Sequence, residues 1–298
     1  MSHYDNAPAA REGDLRPDRR TLLQFSALGL GMLGTAMGMA TTGRAATAEV
    51  PSAVPEPYAR LADQARIDIG VFIYPDMDQI DFTGPFEVLA RLPGAHVHVV
   101  GLEAGPIRDC NGLILTPQMT LAEMPDMDLL VVPGGPGEEG QIGNEALLDV
   151  LRRHAAADKP IYSVCTGALL LGAAGLLNGR KATTHWAVLD VLPWFGAEAR
   201  PERVVVDGNI VSAAGVTAGI DGALTVAAML RGVVAAQSIQ LGIQYQPEPA
   251  FHAGSPETAP PEVLAAMQDR LRPLKDARLE TARAIGQKLG IPAPARKG

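Results

Sequence analysis

The sequence predicts an α/β protein: a three-layer α/β/α sandwich built on a mostly parallel sheet, with a cysteine at a sharp strand-to-helix turn. Three observations predict it. Ile67–Tyr74, Asp128–Val132 and Pro160–Val164 are apolar without alternation, the pattern of strands covered on both faces. Segments of helical period separate these runs, so neighbouring strands can run parallel with helical crossovers. Glycine-rich turns then follow two of the strands, at Pro133-Gly134-Gly135 and at Cys165-Thr166-Gly167.

With 298 residues, 47% of them hydrophobic, the chain can bury a large core, and disorder as its main state is excluded. Its 25 Lys and Arg face 33 Asp and Glu, and only 4% of residues are aromatic. That acidic, aromatic-poor balance argues against a nucleic-acid partner, which requires clustered positive charge.

Residues 1–48 read as a leader. Arg19 and Arg20 precede the apolar, Gly- and Ala-rich run from Thr21 to Gly43, a pattern resembling the twin-arginine export signal. Small residues at Ala46 and Ala48 place cleavage before Glu49. Export to a periplasmic or extracellular space follows, with no stable membrane association after cleavage. The competing reading is a retained anchor, because the run is about as long as a spanning helix of ~20 residues. Mass spectrometry of the mature protein should find Glu49 at its N-terminus; an intact Met1 would contradict processing.

Residues 49–66, rich in Pro and Ala, read as a tether or wrapping segment. The folded domain is expected over 67–290, followed by a tail at 291–298. Ile67–Tyr74 opens the domain as a buried strand. A helix is expected over Asp81–Leu92, and then a strand over Ala95–Gly101, where His96 and His98 alternate with apolar residues. Short strands should fill 106–119, punctuated by Asn111 and Gly112. Asp128–Val132 is a central strand, Gly143–Asp158 a helix, and Pro160–Val164 the strand that leads into Cys165. A helix follows to about Gly175. Val204–Val211, broken by Asp207 and Gly208, reads as a hairpin. Helices are expected at Ile220–Leu230 and Val233–Ile243. The five prolines between Tyr245 and Pro261 force an extended crossing before a charged amphipathic helix to about Leu289. No repeat or second domain is visible.

The chemistry concentrates at Ser163-Val164-Cys165-Thr166-Gly167. A cysteine between a β-branched strand end and a Gly/Ala-rich helix start has the setting of a nucleophile elbow, where the helix aims its first amides and its dipole at the side chain. Such a thiol should ionise below the roughly 8.5 of a free cysteine. An inert buried cysteine is the competing reading, and the flanking pattern disfavours it. The Thr166 amide would be one donor to a developing negative charge, and Gly134 or Gly135 the second, if the strands before them are neighbours. The loop from Gly134 to Gly140 lacks the Lys and Ser/Thr of a phosphate-binding P-loop.

Asp81 belongs at the same sheet edge. It reads either as a helix N-cap or as a protonated carboxyl that moves protons beside the thiol, and the sequence leaves both open. His185 is a candidate base for the thiol, with a core histidine or helix cap as its rival. Trp186 is expected to pack in the core. With no Cys/His cluster or close carboxylate set, a catalytic metal is not expected. Two cysteines, Cys110 and Cys165, do not make a disulfide framework, and they are expected to stay unpaired.

Taken together, these motifs resemble the DJ-1/PfpI superfamily of class I glutamine-amidotransferase-like proteins, and within it the isonitrile-hydrating branch. The resemblance runs over about 67–286. It rests on Asp81–Leu89 (DFTGPFEVL), the PGG turn at Pro133–Gly135, Ser163–Leu177 (SVCTGALLLGAAGLL), Gly179–Ala187 (GRKATTHWA), Gly215–Ala228 (GVTAGIDGALTVAA) and Phe251–Pro260 (FHAGSPETAP). It implies a flavodoxin-like fold, Cys165 as nucleophile, Thr166 beside it, Asp81 as the necessary acid, no cofactor, and a homodimer. The activity it implies is addition of water to an isonitrile, giving an N-substituted formamide. The rivals are glyoxalase-like or peptidase-like chemistry of the same superfamily, and a non-catalytic redox or ligand-binding module.

Overall fold

The computed structural model describes residues 51 and 53–294. The expected leader, its cleavage point and the last residues of the expected tail lie outside them. In chain order the helices are α1 (Glu56–Ala62), α2 (Gln79–Leu89), α3 (Glu138–Gln141), α4 (Glu145–Ala156), α5 (Gly167–Ala173), α6 (Ala218–Arg231), α7 (Val233–Gly242) and α8 (Pro261–Lys288). The strands are β1 (Ile67–Ile73), β2 (Ala95–Gly101), β3 (Ile107–Arg108), β4 (Ile114–Leu115), β5 (Met119–Thr120), β6 (Leu129–Val132), β7 (Ile161–Val164), β8 (Lys181–Ala182), β9 (Glu198–Ala199), β10 (Val204–Asp207) and β11 (Ile210–Ala213).

Seven strands form the main sheet in the order β10-β11-β7-β6-β1-β2-β5. All neighbours pair in parallel except β10 and β11, which are the expected antiparallel hairpin, turned through Gly208 at φ +59°. The sheet is therefore mixed, with one antiparallel edge on an otherwise parallel array, and the fold is α/β as expected. Every residue of β6 and β7 is buried, as are all but Asp68 of β1. At about 1.5–3 kcal/mol for each fully buried large aliphatic side chain, these three strands are the rigid platform of the molecule. Their register, with Val71 opposite Val131 and Val132 opposite Ser163, brings their carboxyl ends to one edge. The helices pack in two groups: α1, α2 and α7 against α6, and α4, α8 and a 3₁₀ segment, Trp186–Phe195, around α5.

Two expectations are corrected. Part of the stretch 49–66, read as a tether or wrapping segment, is helix α1: Tyr58 is fully buried, and Arg231 closes the helix end by donating to the carbonyls of Leu61, Ala62 and Gln64. Folded structure thus begins before Ile67. Helix α2 starts earlier than Asp81 because Asp78 caps it, Oδ1 accepting from the Ile80 amide at 2.9 Å. Segment 106–119 holds short strands as expected: β3 and β4 pair with each other, and β5 joins the edge beside β2. Tyr245–Pro260 crosses without helix or strand, as its prolines require. Helix α8 then begins with Pro261 at its first turn and stops before Gly290 at φ +70°. Among the described residues, no helix is long and apolar enough to cross a membrane.

Candidate active site

Cys165 sits in the turn between β7 and α5 with φ at +55°, a left-handed conformation rare outside glycine. Holding an L-residue there costs about 1–2 kcal/mol. Two backbone anchors fix it: its amide donates to the Ala213 carbonyl at 3.0 Å, and its carbonyl accepts from the Thr184 hydroxyl at 2.8 Å. The residue is 5% exposed.

Asp81 is the acid beside it. The capping role falls to Asp78, so Asp81 occupies the first turn of α2 fully buried, with Oδ2 accepting the Gly134 amide at 3.0 Å. Oδ1 is buried and has no hydrogen-bond partner. Burial pushes the carboxyl up to about 8, and the negative charge of Asp78 adds to the rise, while the Gly134 amide and the Cys165 thiol oppose it. Asp81 therefore carries a proton at neutral pH.

The expectation of a depressed cysteine pKa is overturned. Burial raises the Cys165 thiol well above its ordinary value, and the Asp81 charge raises it further; the Thr166 amide and Arg278 pull the other way. The first amides of a short helix do not outweigh complete desolvation beside a carboxyl. Thiol and carboxyl form a coupled, proton-bearing pair.

The turn Pro133-Gly134-Gly135 connects this pair to the rest of the site, and its polar groups are spoken for within the protein. Tyr74 donates its hydroxyl to the Pro133 carbonyl at 2.7 Å, and the Asp78 amide donates to the Gly134 carbonyl at 2.9 Å. The Gly134 amide goes to Asp81, and the Gly135 amide to Thr166 Oγ1 at 2.9 Å. The Thr166 hydroxyl in turn donates to the Gly135 carbonyl at 3.2 Å. Gly134 and Gly135 thus orient Asp81 and Thr166, and the two amides expected to face substrate are engaged within the protein. A Cβ on Gly134 would lie 2.4 Å from the Thr166 nitrogen, which is why glycine is required there. Thr166 itself is 3% exposed, and its amide serves the cysteine sulfur.

His185 does not hydrogen-bond to Cys165. It caps the 3₁₀ segment, Nδ1 accepting from the Ala187 amide at 3.3 Å. Burial and the positive charge of Arg278 lower it to about 4, so the ring is neutral. Trp186, expected in the core, is half-buried and lines an open groove of ≈ 530 Å³ with Pro256, Leu271 and Lys275. Both cysteines are free. His98 pairs with Asp68, and His154 with the Pro160 carbonyl. No group of three metal-ligating side chains occurs among the described residues.

Sequence reasoning missed Glu138 and Arg278. They form a buried ion pair, Arg278 Nε to Glu138 Oε2 at 2.8 Å, with exposures of 6% and 0%. A second arm of the guanidinium, Nη2, donates to the Gly135 carbonyl at 2.9 Å. The available signal was Arg278, Ala282 and Gly286, spaced four apart on one face of α8, where small residues admit close packing. Gly286 meets the Trp194 carbonyl so closely that a Cβ would stand 2.3 Å from it.

Comparison with known proteins matches residues 68–229 to the DJ-1/PfpI family. An isonitrile hydratase from Pseudomonas putida is 44% identical over 225 residues, spanning 76% of this chain and 99% of that protein. Deglycase PfpI from Pyrococcus furiosus is 32% identical over 139 residues, 46% of this chain and 83% of its own. Among solved structures, a ThiJ/PfpI family protein from Pseudomonas syringae superposes with a TM-score of 0.70 at 38% identity, covering 74% of this chain and 90% of that one.

Proposed function

The chain belongs to the DJ-1/PfpI family, and from that premise we propose that it is an isonitrile hydratase-like enzyme, adding water to an isonitrile through a Cys165 thioimidate. The observation that carries this reading is the fully buried carboxyl of Asp81 set beside Cys165, with Oδ1 unpartnered and burial raising its pKa. The P. putida isonitrile hydratase, similar across 99% of its length, supports the substrate class.

An isonitrile, R–N≡C, reacts at its terminal carbon as both base and electrophile, so it needs a proton and a nucleophile delivered to one atom. Cys165 is the nucleophile at an elbow, and Asp81 carries the proton. As sulfur bonds to the carbon, the Asp81 proton moves to that carbon and the thiol proton replaces it on the carboxyl, leaving R–N=CH–S–Cys165. Water then adds to the same carbon, with Asp81 handling its proton and Thr166 orienting it. The C–S bond breaks, sulfur regains a proton, and R–NH–CHO departs. Only one terminal atom must reach the sulfur, which suits a thiol that is 5% exposed. In this reading the Thr166 amide is the donor near the reacting sulfur, and His185, occupied as a cap, takes no proton.

The pH profile follows from the sign of the Asp81 shift. Its carboxyl, pushed up to about 8, is competent while protonated, so kcat/KM should be level near neutrality and fall above about 8. A rate that instead climbed with thiolate formation above that point would remove Asp81 as the acid. The related deglycases keep a second reading in play within the family. Assaying a simple isonitrile beside methylglyoxal and a peptide panel separates the two: formamide formation alone supports hydration, and turnover of the others without formamide overturns it.

A further inference from the structure

We propose that Arg278, carried on the C-terminal helix α8, is a positioning residue for the Cys165–Asp81 pair, holding the Gly135 carbonyl so that the two glycine amides stay aimed at Asp81 and Thr166. The inference rests on the hydratase reading only for the choice of reaction; its geometry stands without it. From Arg278 Nη2 the chain of contacts is continuous. The Gly135 carbonyl accepts at 2.9 Å, the Gly135 amide donates to Thr166 Oγ1 at 2.9 Å, and one peptide earlier the Gly134 amide donates to Asp81 Oδ2 at 3.0 Å. Among the described residues, no other charged side chain hydrogen-bonds to this turn except Asp81 itself. Glu138 fixes the guanidinium from the opposite side at 2.8 Å, and Thr281, one turn further along α8, bonds Glu139. The helix thereby grips α3 and the PGG turn together.

The fork of arginine suits this task because one planar group serves two acceptors, a carboxylate and a carbonyl, in fixed geometry. The groups facing Cys165 are Asp81 on α2, Asp78 before it, Tyr74 after β1, and Arg278 on α8. Arg278 is the cation of this set, and it favours the thiolate where Asp81 and Asp78 oppose it. Glu138, His185 and Tyr74 also feel its charge.

The test uses the whole protein and two readouts: kcat and KM with a simple isonitrile, and the rate of Cys165 alkylation by iodoacetamide as a function of pH, with Cys110 replaced by Ser in every sample. Arg278→Met should lower kcat by about 10- to 100-fold with KM little changed, and should slow Cys165 alkylation about tenfold at a fixed mildly alkaline pH, as loss of a nearby opposite charge requires. Arg278→Lys keeps the charge without the fork and should recover part of the alkylation rate but little of kcat. Arg278→Met leaves Glu138 buried without its partner, so Arg278→Met with Glu138→Leu is the control for folding. The proposal expects the double variant to regain thermal stability while both kinetic defects persist. If the double variant regains wild-type kcat and alkylation, or if a folded Arg278→Met never loses them, Arg278 is only the counter-ion of Glu138 and the proposal fails. Because alkylation needs no isonitrile, absence of hydratase activity in the parent would sink the functional reading and leave this result interpretable.

Discussion

Replacing Cys165 with Ala should abolish isonitrile turnover, by a factor on the order of 10⁴ to 10⁶, while leaving the fold in place. The two halves of that expectation have separate causes. Turnover vanishes because the thiol beside Asp81 is gone, and water alone would have to attack without a covalent intermediate. The fold survives because what holds the turn is backbone: the amide bonded to Ala213 and the carbonyl bonded to Thr184 persist in alanine. Alanine tolerates φ +55° no worse than cysteine does. Loss of one sulfur from a buried position costs about 1 kcal/mol. Circular dichroism and Tm therefore stay near wild type while formamide formation disappears. Retained turnover in this variant would eliminate covalent catalysis by Cys165.

Asp81→Asn should have the next largest effect. The amide keeps an oxygen to accept from Gly134, so the turn remains closed, but it has no proton to exchange, and kcat should fall by about 10²- to 10⁴-fold. The loss of rate above about 8 expected of the parent should disappear with it. Stability carries an independent signature. Because the folded carboxyl is pushed up to about 8, well above the ordinary aspartate value, the folded state holds this proton more tightly than the unfolded chain does. Its contribution is present at low pH and is lost as pH rises through that folded value. Asparagine removes the dependence, so the variant should gain stability relative to the parent on moving from about pH 6 to about pH 9. Glu138 is also raised to about 8 but titrates alike in both proteins and cancels in the difference. An unchanged difference across that range would mean that Asp81 is not buried and protonated.

The strands were legible in the sequence because burial on both faces leaves unbroken apolar runs, and β1, β6 and β7 fall where Ile67–Tyr74, Asp128–Val132 and Pro160–Val164 predicted them. Cys165 was legible because its turn lies between a β-branched strand and a small-residue helix. Asp81 was half legible: the sequence left it as a helix cap or a proton-bearing acid, and only the backbone decides that Asp78 takes the Ile80 amide and releases Asp81 to the interior. The partners of the glycine amides were not legible because a free amide and an engaged amide look alike in sequence; Gly134 and Gly135 spend theirs on partners 53 and 31 residues away. Arg278 was invisible for the same reason, since its partner Glu138 lies 140 residues earlier. Local patterns report local structure and burial. A hydrogen-bonded hub assembled from five distant segments leaves no local pattern.

The most direct measurement is rapid acid quenching during turnover of a simple isonitrile, followed by mass analysis of the peptide that contains Cys165. The account predicts that this peptide carries the added mass of one isonitrile, that the mass decays as formamide appears, and that the Cys165→Ala protein yields neither. Formamide formed at full rate while the Cys165 peptide stays unmodified at every time point, and while the alanine variant keeps pace, would contradict it.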